Sequence, residues 1–94
     1  PQSPDFRQLV SRRACERLLD LGTGCGLGAL IARFAGARQV TGLDINQRAI
    51  HFARFNAHLN GMPDVRFDAG DLFAPVAGET FDRIVFHAPY DLVK

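Results

Sequence analysis

Apolar positions along the chain come in short blocks that alternate between two periods. Leu18, Leu19 and Leu21 lie in a compact run from Arg17 to Leu21, Val40 and Leu43 in a second from Gln39 to Asp44, and Phe81 to Phe86 is nearly continuous. Runs this short, bounded by glycine and polar residues, predict buried strands. Val65 to Phe67 begins another short strand. Between the runs the spacing turns helical. Leu27, Leu30, Ile31 and Phe34 share one face of a helix that reaches Ala35 and is closed by Gly36. A second helix starts at an Asn46 N-cap and runs to about Leu59, where Asn60, Gly61 and Pro63 stop it. Its Phe52, Phe55 and Leu59 recur at i, i+3 and i+7 and are expected in the core. Ser3 as N-cap, Pro4 at the first helical position, and Phe6, Leu9 and Val10 on one face predict an opening helix over residues 3 to about 15, packed on one flank. Gly70 to Thr80 is expected to be mostly loop.

Strands alternating with helices imply right-handed βαβ units and a parallel sheet. In such a sheet a ligand lies beyond the carboxyl ends of the strands, where strand order reverses. Asp20, Asp44, Gly70-Asp71 and His87 to Tyr90 all fall at or just past predicted strand ends, so four separate segments converge on one crevice.

Composition narrows the class. Ninety-four residues, 47% hydrophobic and 22% charged, fit one globular domain, with no repeats, low-complexity tract or internal linker. A net charge of +1 gives no strong field for nucleic acid or a membrane surface, and the local basicity of Arg7, Arg12, Arg13 and Arg17 is expected to be a solvated helix face. Cys15 and Cys25 lack metal-ligand spacing, and His51 and His58 lie two helical turns apart, too far for one metal. Cys25 is expected to be a small filler. No targeting segment or membrane-spanning run is evident, and a reducing cytoplasm fits. A start at Pro1 and a last strand close to Lys94 point to a piece of a longer chain.

The glycine-dense turn after the first strand can be parsed in two ways. Gly24-Cys25-Gly26-Leu27-Gly28-Ala29 satisfies GxGxxA, with Asp44 at the distance expected of a ribose-binding acid, which favours NAD. Asp20-Leu21-Gly22-Thr23-Gly24-Cys25-Gly26 satisfies DxGxGxG, which places a carboxylate ahead of the glycines. A pyrophosphate wants helix N-terminal amides and no carboxylate beside it. S-adenosylmethionine carries no phosphate; its methionyl end holds an ammonium and a sulfonium, which Asp20 suits. A structural role also stays open for Asp20, as acceptor for the backbone N–H groups of its own turn.

Asp20 to Gly26, Thr41 to Ile45, Ala69 to Phe73 and Phe81 to Tyr90 resemble, in order and at fitting spacing, the successive motifs of the class I S-adenosylmethionine-dependent methyltransferases. Their nearest likeness is to the small-domain subgroup that includes the release-factor glutamine methyltransferases. The resemblance implies an α/β Rossmann-like three-layer sandwich, with parallel strands in the order 3-2-1-4 and helices on both faces. Residues 1–94 would be the N-terminal, cofactor-binding half of a methyltransferase domain. The family fold continues past the fourth strand, so that strand would be an exposed edge, and the isolated piece would associate, be covered by other protein, or belong to a longer polypeptide.

The same resemblance assigns cofactor contacts. Gly22, Thr23, Gly24 and Gly26 would pass under S-adenosylmethionine, with Asp20 near its methionyl amino group. Asp44 would accept from both ribose hydroxyls and Ile45 would lie against the adenine. Asp71 would accept from the adenine amino group, unless it only caps its own turn, and the Leu72 N–H would face a ring nitrogen. The acceptor would meet His87, Ala88, Pro89 and Tyr90, which stand where the subgroup has Asn-Pro-Pro-Tyr. There the Asn oxygen and a backbone carbonyl hold the two N–H bonds of a planar amino group while the aromatic ring stacks on it. Pro89 and Tyr90 keep the turn and the stacking face, and the Ala88 carbonyl remains an acceptor. Three roles stay open for His87: acceptor in one tautomer, general base, or structural hydrogen-bonding group. The implied activity is N-methylation of an amide or amino group, with a protein glutamine or a small molecule as acceptor. An NAD-dependent oxidoreductase and a non-catalytic cofactor-binding or interaction module are the alternatives.

Overall fold

The computed structural model describes residues 15–71 and 73–87. The opening helix expected over residues 3 to about 15 lies outside them, apart from its last position. Four parallel strands form one sheet: β1 (Arg17–Leu21), β2 (Gln39–Asp44), β3 (Arg66–Ala69) and β4 (Arg83–Phe86), in the order β3-β2-β1-β4. Two helices connect the first three strands, α1 (Leu27–Phe34) and α2 (Gln47–Leu59). The expected order is therefore present, with boundaries within about two residues of those read from the sequence.

Local chemistry sets the helix ends as expected. The Asn46 side chain accepts from the Ala49 N–H at 3.1 Å, and Gly61, past the end of α2, has φ 70°. Successive right-handed crossovers running in one direction put α1 and α2 on the same face of the sheet. There Leu18, Val40 and Phe67 pack with Leu30 of α1 and with Ile50, Ala53 and Ala57 of α2. On the opposite face Leu19, Leu21 and Leu43 meet Val76 and Phe81 from the connection between β3 and β4. Among the described residues that second face carries only a short 3₁₀ turn, Ala74–Val76, where a helical layer was expected.

The expected core stripe of α2 is corrected by the structure. Phe52, Phe55 and Leu59 are 57%, 60% and 67% exposed, whereas Ile50, Ala53 and Ala57 are buried. The two stripes share the spacing i, i+3, i+7 and lie two residues apart, about 200° around the helix. The sheet takes the smaller stripe because alanines let the helix come close. Gly26, at φ 87°, shows how close: a Cβ there would stand 2.9 Å from the Ala53 Cβ and 2.7 Å from the Phe67 ring. On α1 only Leu30 of the predicted stripe is buried, beside Ala29, and Leu27, Ile31 and Phe34 remain exposed.

The β3–β4 connection is tied to the strands by charge. Glu79 accepts from Arg17 at 2.9 Å and from Arg66 at 2.8 Å, and Arg66 also donates to Asp68 and to the Pro75 carbonyl. The Arg66 guanidinium, seconded by Arg17, holds the Glu79 carboxyl below its ordinary range.

Two predictions follow from this packing. Ile50→Ala costs about 2–5 kcal/mol by urea denaturation, while Phe55→Ala stays within about 0.5 kcal/mol; equal losses would restore the aromatic stripe to the core. Because the folded-state value of Glu79 is lowered, its contribution is present above the unfolded value and is lost as pH falls through the folded one. Glu79→Gln should therefore flatten the stability profile on the acid side of about pH 4 and leave its shape above neutrality unchanged.

Candidate functional site

Strand order reverses between β1 and β4, and the predicted polar residues gather at the carboxyl ends around that point. The turn after β1 is fastened to β2 by its backbone: the Gly22 and Thr23 N–H groups both donate to the Leu43 carbonyl, at 2.8 and 2.9 Å. The Gly24 N–H donates to Asp44 Oδ2 at 2.8 Å, and the Asn46 N–H donates to Asp44 Oδ1 at 2.9 Å. Each oxygen of this half-buried carboxylate is thus engaged once by backbone and keeps a second acceptor direction. The Gly70 N–H donates to the Asp44 carbonyl, which brings the end of β3 alongside.

From α2, the Asn56 amide donates to the Cys25 carbonyl at 3.0 Å and braces the far side of the loop. The sequence carries no signal for Asn56, a polar residue in mid-helix whose partner lies 31 positions away.

Asp20 is 2% exposed. Its Oδ2 accepts from the Thr23 hydroxyl at 2.8 Å, and its Oδ1 pairs with His87 Nε2 at 2.7 Å. It also lies against the first turn of α1, since a Cβ on Gly28 would stand 3.5 Å from Oδ2; the positive end of a helix favours a carboxylate there. His87 continues β4 by one position, its N–H donating to the Leu21 carbonyl at 3.1 Å, and its side chain is 52% exposed. A cavity of about 300 Å³ opens beside the pair, lined by Leu18, Ile31, Ala32 and Val85, with Asp20 and His87 toward the carboxyl ends of the strands and Arg83 at the start of β4.

The structure therefore brings Asp20, Thr23 and His87 into one cluster and couples Asp44 to Gly24. Thr23 is buried, and its hydroxyl is directed to Asp20. Ile45 projects from the end of β2 with 77% of its surface exposed, and Asp71 is exposed past β3, its carbonyl accepting from the Ala74 N–H. Leu72, Ala88, Pro89 and Tyr90 lie outside the described residues. Cys15 is buried, which pushes its thiol up, and Cys25 is exposed.

This donor set fits S-adenosylmethionine better than a dinucleotide. Asp20 and Asp44 bracket the loop, and among the described residues no lysine or arginine side chain bonds to it. An anionic pyrophosphate would meet two carboxylates beside the loop, whereas a cationic methionyl end has a nearby carboxylate to suit it. Asp44 keeps acceptor capacity for a diol, and the exposed Ile45 offers an apolar face for a ring.

Comparison with known proteins agrees. Residues 13–94 match a methyltransferase-domain family. The release factor glutamine methyltransferase of Vibrio cholerae is 44% identical over 75 residues, which cover 78% of this chain and 26% of that protein. The crystal structure of the ribosomal protein L11 methylase from Lactobacillus delbrueckii subsp. bulgaricus superposes with a TM-score of 0.72 at 34% identity, covering 85% of this chain and 43% of that one. The Trypanosoma brucei PRMT1 enzyme–prozyme complex with AdoHcy superposes with a TM-score of 0.68 at 27% identity, over 84% of this chain and 25% of that one. The chain spans about a quarter of the release-factor relative's length. Among the described residues no helix is long and apolar enough to cross a membrane. These matches set the NAD-dependent parse of the glycine loop aside and make S-adenosylmethionine the implied cofactor. The chain belongs to the methyltransferase-domain family.

Proposed function

We propose that residues 1–94 are the cofactor-binding half of a methyltransferase domain within a longer cytoplasmic polypeptide. It binds S-adenosylmethionine and directs its methyl group to an amide or amino nitrogen. The convergence of Asp20, Asp44 and His87 around one glycine loop, at the reversal of strand order, carries this reading.

The cofactor supplies a methyl group on a cationic sulfur. Gly22, Gly24 and Gly26 form the floor on which it rests, fixed by Leu43 and Asp44. Asp20 acts on the methionyl end by its charge from beneath the loop, because so buried a carboxylate has little surface to offer directly. Asp44 accepts from the ribose hydroxyls with its remaining lone pairs, Ile45 lies against the adenine, and Asp71 and Leu72 read the adenine edge. His87, Ala88, Pro89 and Tyr90 hold the acceptor nitrogen toward the methyl group, a task of positioning. Two of the similar proteins are named for protein substrates, a release factor and ribosomal protein L11, which favours a protein acceptor.

Calorimetric titration of the full-length polypeptide with S-adenosylhomocysteine should show binding, and NAD should show none. Asp44→Ala should weaken S-adenosylhomocysteine more than tenfold, since hydrogen bonds to a charged group contribute about 1.5–3 kcal/mol each. Binding of NAD alone would remove the methyltransferase reading.

A further inference from the structure

His87 and Asp20 are 67 positions apart in sequence, yet the structure joins them at 2.7 Å. In the tautomer that carries its hydrogen on Nε2, the ring donates to the Asp20 carboxylate and presents Nδ1 as an acceptor. The pair is anchored at both ends. Asp20 is fixed by the Thr23 hydroxyl and by burial, and the His87 backbone is fixed by Leu21. Among the described residues none bonds to Nδ1, and about half of the His87 side chain is exposed. A half-exposed imidazole whose far nitrogen is held by a buried carboxylate has the construction of a proton acceptor: the carboxylate sets the tautomer and stabilises the cation that forms.

We propose that His87 is the catalytic base of this domain, with Asp20 as its positioning residue, and that the acceptor is an amino group rather than a carboxamide. This rests on the methyl-transfer reading above. A carboxamide nitrogen needs two acceptors in one plane and has no proton to shed before attack. An amine arrives near neutral pH as an ammonium whose lone pair is blocked. Nδ1 takes one proton from R–NH₃⁺. The freed lone pair forms the C–N bond as the C–S bond breaks, and the electron pair returns to sulfur. The products are R–NH₂⁺–CH₃, S-adenosylhomocysteine and an imidazolium that passes its proton to water. Among the described residues, β1 brings Asp20 to the ring and α1 brings Gly28, which carries no charge; Arg83 lines the same cavity from the start of β4.

The full-length polypeptide should be incubated with tritium-methyl S-adenosylmethionine and extract from cells lacking it, the extract either untreated or acetylated on its amines. The expected product is an acid-stable N-methylamino group, lost when amines are acetylated. The rate should rise with pH through the neutral range. His87→Asn should lower the rate near neutral pH by about 100-fold or more and leave a residual rate that recovers only at the higher pH where the free amine forms in solution. Asp20→Asn should lower the rate and change the pH profile, and a variant that lost only folding stability would leave the shape of that profile unchanged. Added imidazole should restore part of the activity of His87→Gly, a variant that leaves Asp20 in place. Volatile tritiated methylamine after acid hydrolysis, labelling unaffected by His87→Asn, or no labelling by a protein that binds S-adenosylhomocysteine would each overturn the proposal. Failure of S-adenosylhomocysteine to bind would instead remove the methyltransferase reading beneath it.

Discussion

A carboxylate that is 2% exposed at the end of a central strand is the constraint around which this crevice is arranged. A charge taken out of water needs partners, and removing one partner from a buried pair costs several kcal/mol. Asp20 has three kinds of support: the Thr23 hydroxyl, the His87 imidazole and the first turn of α1. Each fixes a separate segment. Thr23 sets the path of the glycine loop, α1 must start where its amide end meets the carboxylate, and His87 ties the end of β4 to β1. The glycine loop and the end of β4 are thereby held by one group.

The second fixed point is Asp44, and it works differently. Both of its oxygens accept from backbone N–H groups, one in the glycine loop and one at the entry to α2. Backbone donors cannot rotate away as side chains can, so the carboxylate is oriented before any ligand arrives, and little ordering cost falls on binding. Gly42, between the two acidic positions in the sheet, allows this closeness: a Cβ there would stand 2.6 Å from both the Phe67 ring and the Thr23 hydroxyl. The glycine pattern of the chain thus answers to packing as much as to the cofactor. Gly26 and Gly42 make room for Phe67 and α2, while a Cβ on Gly24 would meet open space.

That division explains what was legible in the sequence. Strands β1 and β2 could be read to the residue because a buried parallel strand is a short apolar run bounded by polar and glycine residues, and that signal is local. The helix caps were legible for the same reason, as Asn46 and Gly61 act on their own neighbours. The buried face of α2 was not, because two stripes of equal spacing compete and only the distance to the sheet decides between Ala53 and Phe52. Nor were the contacts of Asn56 or His87, whose partners lie 31 and 67 positions away and depend on how the sheet folds. The acids could be named because they sit at strand ends. Their bonding could not: Asp20 is buried and bonded to Thr23 and His87.

The His87 contact also separates two demands that the family tetrapeptide meets with one residue. An Asn at a strand end can hold an acceptor through its oxygen without any tie to the carboxylate in β1, since its short side chain turns outward as readily as inward. An imidazole is longer and two-sided, so one nitrogen can satisfy Asp20 while the other stays available. Satisfying the buried charge and addressing the acceptor are then tasks of one side chain: a proton gained at Nδ1 before attack gives a cation that Asp20, already bonded to Nε2, is placed to stabilise.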